Sequence, residues 1–238
     1  MDDKIAELKE LVQKSRKIVF FGGAGVSTES GIPDFRSKDG LYNMKYDYPP
    51  EEILSRTFFF NKTEEFYKFY RDKLNSLKYE PNITHYKLAE LEQKGKLSAV
   101  ITQNIDGLHQ KAGSKKVYEL HGSVLRNYCL KCKRFHGPED VFETQGLPTC
   151  ECGGLIKPDV VLYEEPLDDK VVRGAIKALT DGDLLIIGGT SLSVYPASSY
   201  ISYFRGGKIV LVNKSVTPFD SYADLVINKG LGEVFSQL

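Results

Sequence analysis

Lys17-Ile18-Val19-Phe20-Phe21-Gly22-Gly23-Ala24-Gly25-Val26-Ser27 carries the reading of the fold. Isoleucine, valine and two phenylalanines in a row, stopped by paired glycines, predict a short buried strand. Glycines at 23 and 25, straight after it, stand where a doubly wound sheet places a phosphate-binding turn. Without side chains the backbone there can close on a pyrophosphate. The third glycine of the dinucleotide fingerprint would fall at position 28, which is Thr28. A plain tight turn therefore reads the same residues.

Upstream, Ile5, Leu8, Leu11 and Val12 recur at helical spacing and predict a surface helix over 3–15. Downstream, β-like runs are expected at 97–102, 116–120, 159–163, 183–187 and 208–213, with a weaker one at 224–227. Helical patterns fall at 84–94 and 168–180. This alternation predicts an α/β fold, a doubly wound Rossmann-like parallel sheet covered on both faces. Two segments break it: 41–82, aromatic, charged and helical in pattern, and 125–157, rich in turn formers. Both read as insertions that pack as a smaller lobe. The larger domain is then 1–40, 83–124 and 158–238, and the smaller 41–82 with 125–157.

The chain has 238 residues, 41% hydrophobic and 27% charged, enough to bury a full core. Lysine plus arginine and aspartate plus glutamate both count 32, so no global field draws the chain to nucleic acid or anionic lipid. No direct nucleic-acid binding is expected. No apolar run reaches the roughly 18 residues of a membrane span. The charged start at Met1-Asp2-Asp3-Lys4 lacks the apolar core of an export signal, so a cytoplasmic location is expected.

The run Gly31-Ile32-Pro33-Asp34-Phe35-Arg36 joins a rigid turn, a carboxylate, a ring and a guanidinium. It reads as a loop that folds over a cofactor. The strand ending at Thr102 opens into Gln103-Asn104-Ile105-Asp106, polar groups at the strand end where open α/β sheets bind ligands. A turn capping the helix from Leu108 reads the same residues. The next strand leads into His121-Gly122-Ser123, where an imidazole can serve as a general base. His85 falls near a helix start, His109 on a helix face, and His136 in the turn-rich insertion.

All four cysteines lie between Cys129 and Cys152, as Cys129-x₂-Cys132 and Cys150-x-Cys152-Gly153-Gly154. That spacing predicts a tetrahedral four-thiolate zinc site, with Gly153 in the tight turn behind a ligand. Reduced free thiols are the alternative. Four sulfur ligands leave no open position, so the zinc is structural and the smaller lobe is a zinc-binding and helical one.

Taken in order, GAGVS, GIPDFR, TQNIDGLH, the ELHG turn, the paired cysteines, Gly189-Thr190-Ser191-Leu192 and Val212-Asn213-Lys214-Ser215 closely resemble the sirtuin family, NAD-dependent protein-lysine deacylases. The likeness runs over nearly the whole chain and is nearest the compact bacterial branch. It implies removal of acetyl or other small acyl groups from protein lysines, giving nicotinamide, O-acetyl-ADP-ribose and free lysine. It implies that Gly23, Ala24, Gly25, Thr28, Phe35, Arg36, Gln103, Asn104, Ile105, Asp106, Gly189, Thr190, Ser191, Asn213 and Lys214 hold NAD. His121 would be the base, and Cys129, Cys132, Cys150 and Cys152 the ligands of one zinc. An acetylated protein or peptide is the implied partner, met by a monomer. Mono-ADP-ribosyl transfer and an NAD-sensing module without turnover remain the alternatives.

Two departures carry further expectations. Family members that take acidic acyl chains carry tyrosine and, three residues on, arginine. Here Tyr67 is followed by Tyr70, with Arg71 one place late and turned by roughly 100° on a helix. Acetyl is therefore expected over succinyl. The substrate strand, usually Val-x-Phe-Gly-Glu, reads Val161-Leu162-Tyr163-Glu164-Glu165. These five are expected to bind the peptide, with Glu164 and Glu165 adding an acidic rim that favours basic flanking residues.

Overall fold

The computed structural model describes residues 3–34 and 47–238. Its centre is β1 (Ile18–Gly22), buried at every residue. It pairs in parallel with β2 (Leu97–Thr102) on one side and β7 (Leu184–Gly188) on the other. β3 (Val117–Glu119) extends the sheet beyond β2, and β8 (Lys208–Val212) and β9 (Leu225–Ile227) extend it beyond β7. All five pairings are parallel, in the order β3-β2-β1-β7-β8-β9. This is the doubly wound arrangement, and its order reverses between β1 and β7.

Alternation along the strands divides the core. Ile18, Phe20, Val100, Ile186 and Val210 pack on one face with α1 (Asp3–Lys14), α5 (Ile83–Gln93) and α9 (Leu231–Phe235). Val19, Phe21, Ile101, Ile187 and Leu211 pack on the other with α8 (Asp169–Asp181). Strands buried on both faces must read as continuous apolar runs, which is why they stand out in the sequence.

A second, antiparallel sheet has the order β5-β4-β6, with β4 (Gly122–Cys129), β5 (Phe135–His136) and β6 (Ile156–Val160). The strand expected at 159–163 is corrected here: β6 starts earlier, ends at Val160 and lies outside the main sheet. Lys157, Pro158 and Asp159 interrupt its apolar pattern, while the apolar residues after it leave the sheet, and Tyr163 N donates to Leu54 O.

The helical segment holds α2 (Pro50–Ile53), α3 (Arg56–Asn61) and α4 (Thr63–Lys73). Phe58, Phe59, Phe66, Tyr67 and Tyr70 pack in one cluster with Val124, Cys129, Cys150 and Ile156 of the second sheet and its cysteine turns. Tyr70 stacks on Phe142 at 5.4 Å, and the Tyr67 hydroxyl donates to Ile156 O. Two stretches about sixty residues apart in sequence thus share one core. α6 (Leu108–Lys111) and α7 (Glu139–Phe142) are single turns. No helix among the described residues is long and apolar enough to cross a membrane.

Candidate active site

The order reversal between β1 and β7 opens a crevice at their carboxyl ends, and the two turns there meet closely. Gly25 N donates to Gly189 O at 2.8 Å, and a Cβ on Gly25 would lie 2.8 Å from Gly189 Cα. Only glycine admits that approach. Thr28, where the third fingerprint glycine would fall, turns its hydroxyl back to Gly25 O at 3.1 Å.

A cavity of about 810 Å³ opens from these turns. It gathers Ala24, Gly25, Thr28, Gln103, Asn104, Ile105, His121, Gly189, Thr190, Ser191, Asn213 and Lys214 with the edge 161–165. Gly23 stands behind, where a Cβ would lie 2.8 Å from Thr190 Cβ, and Asp106 lines a smaller hollow with Ala24, Ser27 and Asn104. Phe35 and Arg36 lie outside the described residues. Leu54, Leu74, Ile105 and Val160 give one wall an apolar character.

Ser27 is the residue that sequence reasoning missed. Its hydroxyl donates to Asp106 Oδ2 at 2.7 Å and accepts from Asn104 Nδ2 at 3.1 Å. Asp106 Oδ1 accepts from Leu108 N at 2.9 Å. Burial raises the Asp106 pKa, and the Leu108 N–H and Ser27 hydroxyl oppose that rise. The partners of Ser27 lie 77 and 79 positions away, so no local signal in the sequence marks it.

His121 is fixed by a carbonyl. Its Nδ1 lies 2.9 Å from Gln103 O, an acceptor only, so Nδ1 carries the proton and Nε2 is the basic nitrogen. Burial lowers its pKa from the ordinary 6.5, and the Gln103 carbonyl partly offsets this. Two residues upstream, Glu119 pairs with Arg126 at 2.5 Å, which also bonds Asp159 at 2.8 Å, tying the histidine turn to the second sheet. The other histidines are placed otherwise: His85 caps α5 with Asn82, His109 is buried against it, and His136 pairs with Asp140.

Glu164 and Glu165 stand where the acidic rim is expected, each engaged within the chain through one carboxylate oxygen. Both line the cavity, but Glu164 Oε2 accepts from Thr57 N and Thr57 Oγ1, while Glu165 Oε2 accepts from Leu162 N and pairs with Lys157. Tyr163, Tyr195 and Val216 are large apolar groups exposed at this mouth.

The four thiols converge. Their sulfurs all lie within 4.8 Å of one another, with Cys129 to Cys152 at 3.4 Å and Cys132 to Cys150 at 3.7 Å. A tetrahedral zinc with bonds near 2.3 Å spaces its sulfurs about 3.8 Å apart, so the donor set fits. The Cys132 N–H at 3.4 Å pulls the Cys129 thiol down to about 6, toward the thiolate a metal requires. Gly153, at φ 77°, makes the left-handed turn between Cys150 and Gly154.

A Rossmann-type crevice, a glycine turn, a histidine oriented into it and a four-thiol cluster define a class, and comparison with known proteins agrees. The Sir2 family pattern matches residues 23–196, and the chain belongs to that family. It is 59% identical to the NAD-dependent protein deacetylase of Clostridium perfringens (strain 13 / Type A), over all of this chain and 99% of that protein. A solved Sir2 bound to acetylated peptide superposes with a TM-score of 0.87 at 41% identity, covering 98% of this chain and 96% of the other. A Sir2-p53 peptide-NAD+ structure gives 0.87 at 42%, with the same coverage.

Proposed function

We propose that this protein is an NAD-dependent protein deacetylase that removes acetyl and other small neutral acyl groups from lysine side chains. The observation that carries the reading is the convergence, in one cleft, of the glycine turns, Gln103, Asn104 and a carbonyl-oriented His121, with Asp106 in the hollow beside it. NAD, when bound, would supply a sugar carbon that takes the amide oxygen as nicotinamide leaves and a ribose hydroxyl that takes the acyl group, with water completing the release of free lysine.

The chain's residues divide the work. Gly23, Ala24 and Gly25 let backbone approach the pyrophosphate, with Thr28 closing their turn. Gly189, Thr190, Ser191, Asn213 and Lys214 hold the phosphate and adenosine end. Gln103, Asn104, Ile105 and Asp106 face the nicotinamide end, kept in place by Ser27. His121 Nε2 withdraws a proton from a ribose hydroxyl. Val161, Leu162 and Tyr163 present backbone to the peptide, since strand addition gives affinity without demanding a sequence. The apolar wall excludes water while a weak amide nucleophile is held in line.

Cys129, Cys132, Cys150 and Cys152 hold one zinc outside the chemistry, joining the smaller lobe at 41–82 and 125–157. Thiols gathered for a metal suit a reducing compartment, and the cytoplasm is proposed. The test is mass spectrometry of products from NAD and an acetyl-lysine peptide. Equimolar free lysine, nicotinamide and O-acetyl-ADP-ribose are expected. ADP-ribosylated protein instead would replace the reading with mono-ADP-ribosyl transfer.

A further inference from the structure

Residues 161–165 form an edge of the cleft that touches both halves of the site. At one end Val161 N donates to His121 O at 3.0 Å. At the other, Tyr163 N donates to Leu54 O and Arg56 N donates to Tyr163 O, both at 3.0 Å, around a parallel bridge from Ser55 to Tyr163. The next residue departs from its backbone preference. Glu164 has φ 74°, the left-handed region that favours glycine. A side chain retained in such a conformation points to a contact that compensates for it. That contact is Thr57, whose N–H and hydroxyl both donate to Glu164 Oε2, at 2.9 and 2.7 Å.

We propose that Glu164 is a positioning residue for the acyl-lysine peptide: through Thr57 it clamps the 161–165 edge to the helical segment and so sets the cleft between that edge, Leu54 and His121. The proposal rests on reading this cleft as a deacetylase site. The carboxylate touches no reacting atom. It acts on the backbone that an extended peptide would pair with, and that same backbone is bonded to the carbonyl of the catalytic histidine. Donation from Thr57 and the nearby Arg56 charge lower the Glu164 pKa, so the clamp is anionic at neutral pH. Without it, the backbone bonds at Leu54 and Arg56 still hold the edge, which loosens but does not unfold. The glycine turns at 23–25 and 189 lie apart from Thr57 and keep their approach.

The test compares wild type with Glu164→Gly, Glu164→Gln and Thr57→Val. Affinity for a fluorescent acetyl-lysine peptide is read by anisotropy, both substrates are varied in steady-state kinetics, and amide exchange is followed at Arg56 and Thr57. Glu164→Gly, relieved of backbone strain, should fold normally. Its peptide Kd and KM should rise about three- to tenfold, as when part of a charge-assisted hydrogen bond is lost. kcat and the KM for NAD should stay within about twofold, the pattern of lost uniform binding. Exchange at Thr57 should quicken, and Glu164→Gln should fall between. Unchanged peptide affinity in Glu164→Gly overturns the proposal, as does a loss of kcat and NAD affinity in parallel with it. A wild type that binds the peptide but releases no free lysine overturns the deacetylase reading alone, because the anisotropy comparison still decides the clamp.

Discussion

At the scale of single residues, His121 has a defined tautomer and a depressed pKa, and both have consequences. His121→Ala should lower deacetylation by about 10²–10⁴-fold while NAD binding, read by calorimetry, persists. Because burial lowers the pKa, the base remains neutral somewhat below pH 6.5. The acid limb of kcat/KM should therefore fall below that value, and a limb above 7 would contradict the assignment. The place of His121 in the cleft was legible because it follows closely on a strand of an α/β sheet. The partners of Glu164 and Glu165 were not. A carboxylate's local sequence does not say which distant donor it meets, and here Thr57 lies 107 positions away. Ser27 was hidden for the same reason, since Asn104 and Asp106 reach it only once the sheet has formed.

At the scale of elements, α4 turns its polar groups away from the cleft. Arg71 Nε donates to Val141 O at 2.7 Å and Nη2 to Gly146 O at 2.6 Å, so the guanidinium is directed at the second sheet's loops. Tyr67 and Tyr70 are buried in the same direction, and burial raises the pKa of both. A succinyl carboxylate would meet the apolar wall without a partner from α4, which is costly. Catalytic efficiency on a succinyl-lysine peptide should be at least about tenfold below acetyl. Arg71→Ala should lower the melting temperature and leave that ratio unchanged. The cysteine turns yield a second test. One zinc per chain is expected by elemental analysis, and Cys152→Ala should lower melting temperature and solubility, because metal binding energy is folding energy. A metal-free preparation of normal stability would remove the structural zinc. The main sheet's strands were readable as unbroken apolar runs. β4 was not, because Arg126 and Asn127 sit within it, tolerated only through Glu119, Asp159 and the Gly137 carbonyl.

At the scale of the whole molecule, a polar inclusion lies within the core. His85 and His109 pack ring to ring at 4.7 Å between α5 and α6, both fully buried. Burial lowers the His85 pKa to about 4 and that of His109 well below 6.5, the latter also through its neighbour. In the unfolded chain both protonate near 6.5. Their contribution to stability is thus present above that value and is lost as pH falls toward the folded values. For His85 alone the loss by pH 4 is about 3 kcal/mol. Melting temperature should fall between pH 6.5 and 4, and with a shallower slope in His85→Leu. An equal slope in that variant would place the acid sensitivity elsewhere. His109 follows Asp106 by three residues, so acid unfolding should begin beside the polar cluster of the cleft.

The reversal of strand order at the centre of the sheet also sets a schedule. β1 has β2 on one flank but must wait for β7, 166 positions later in register, on the other. A nascent chain therefore carries a wholly apolar strand with one open edge until about four-fifths of the protein has been made. Loop closure over that span is entropically slow, and open edges recruit other chains. Refolding from denaturant should consequently be slow and concentration-sensitive. The crevice between β1 and β7 exists only once those two strands have paired, and Asn213 and Lys214 line it only after β8 has followed, so ligand binding reports on the late-made part of the sheet.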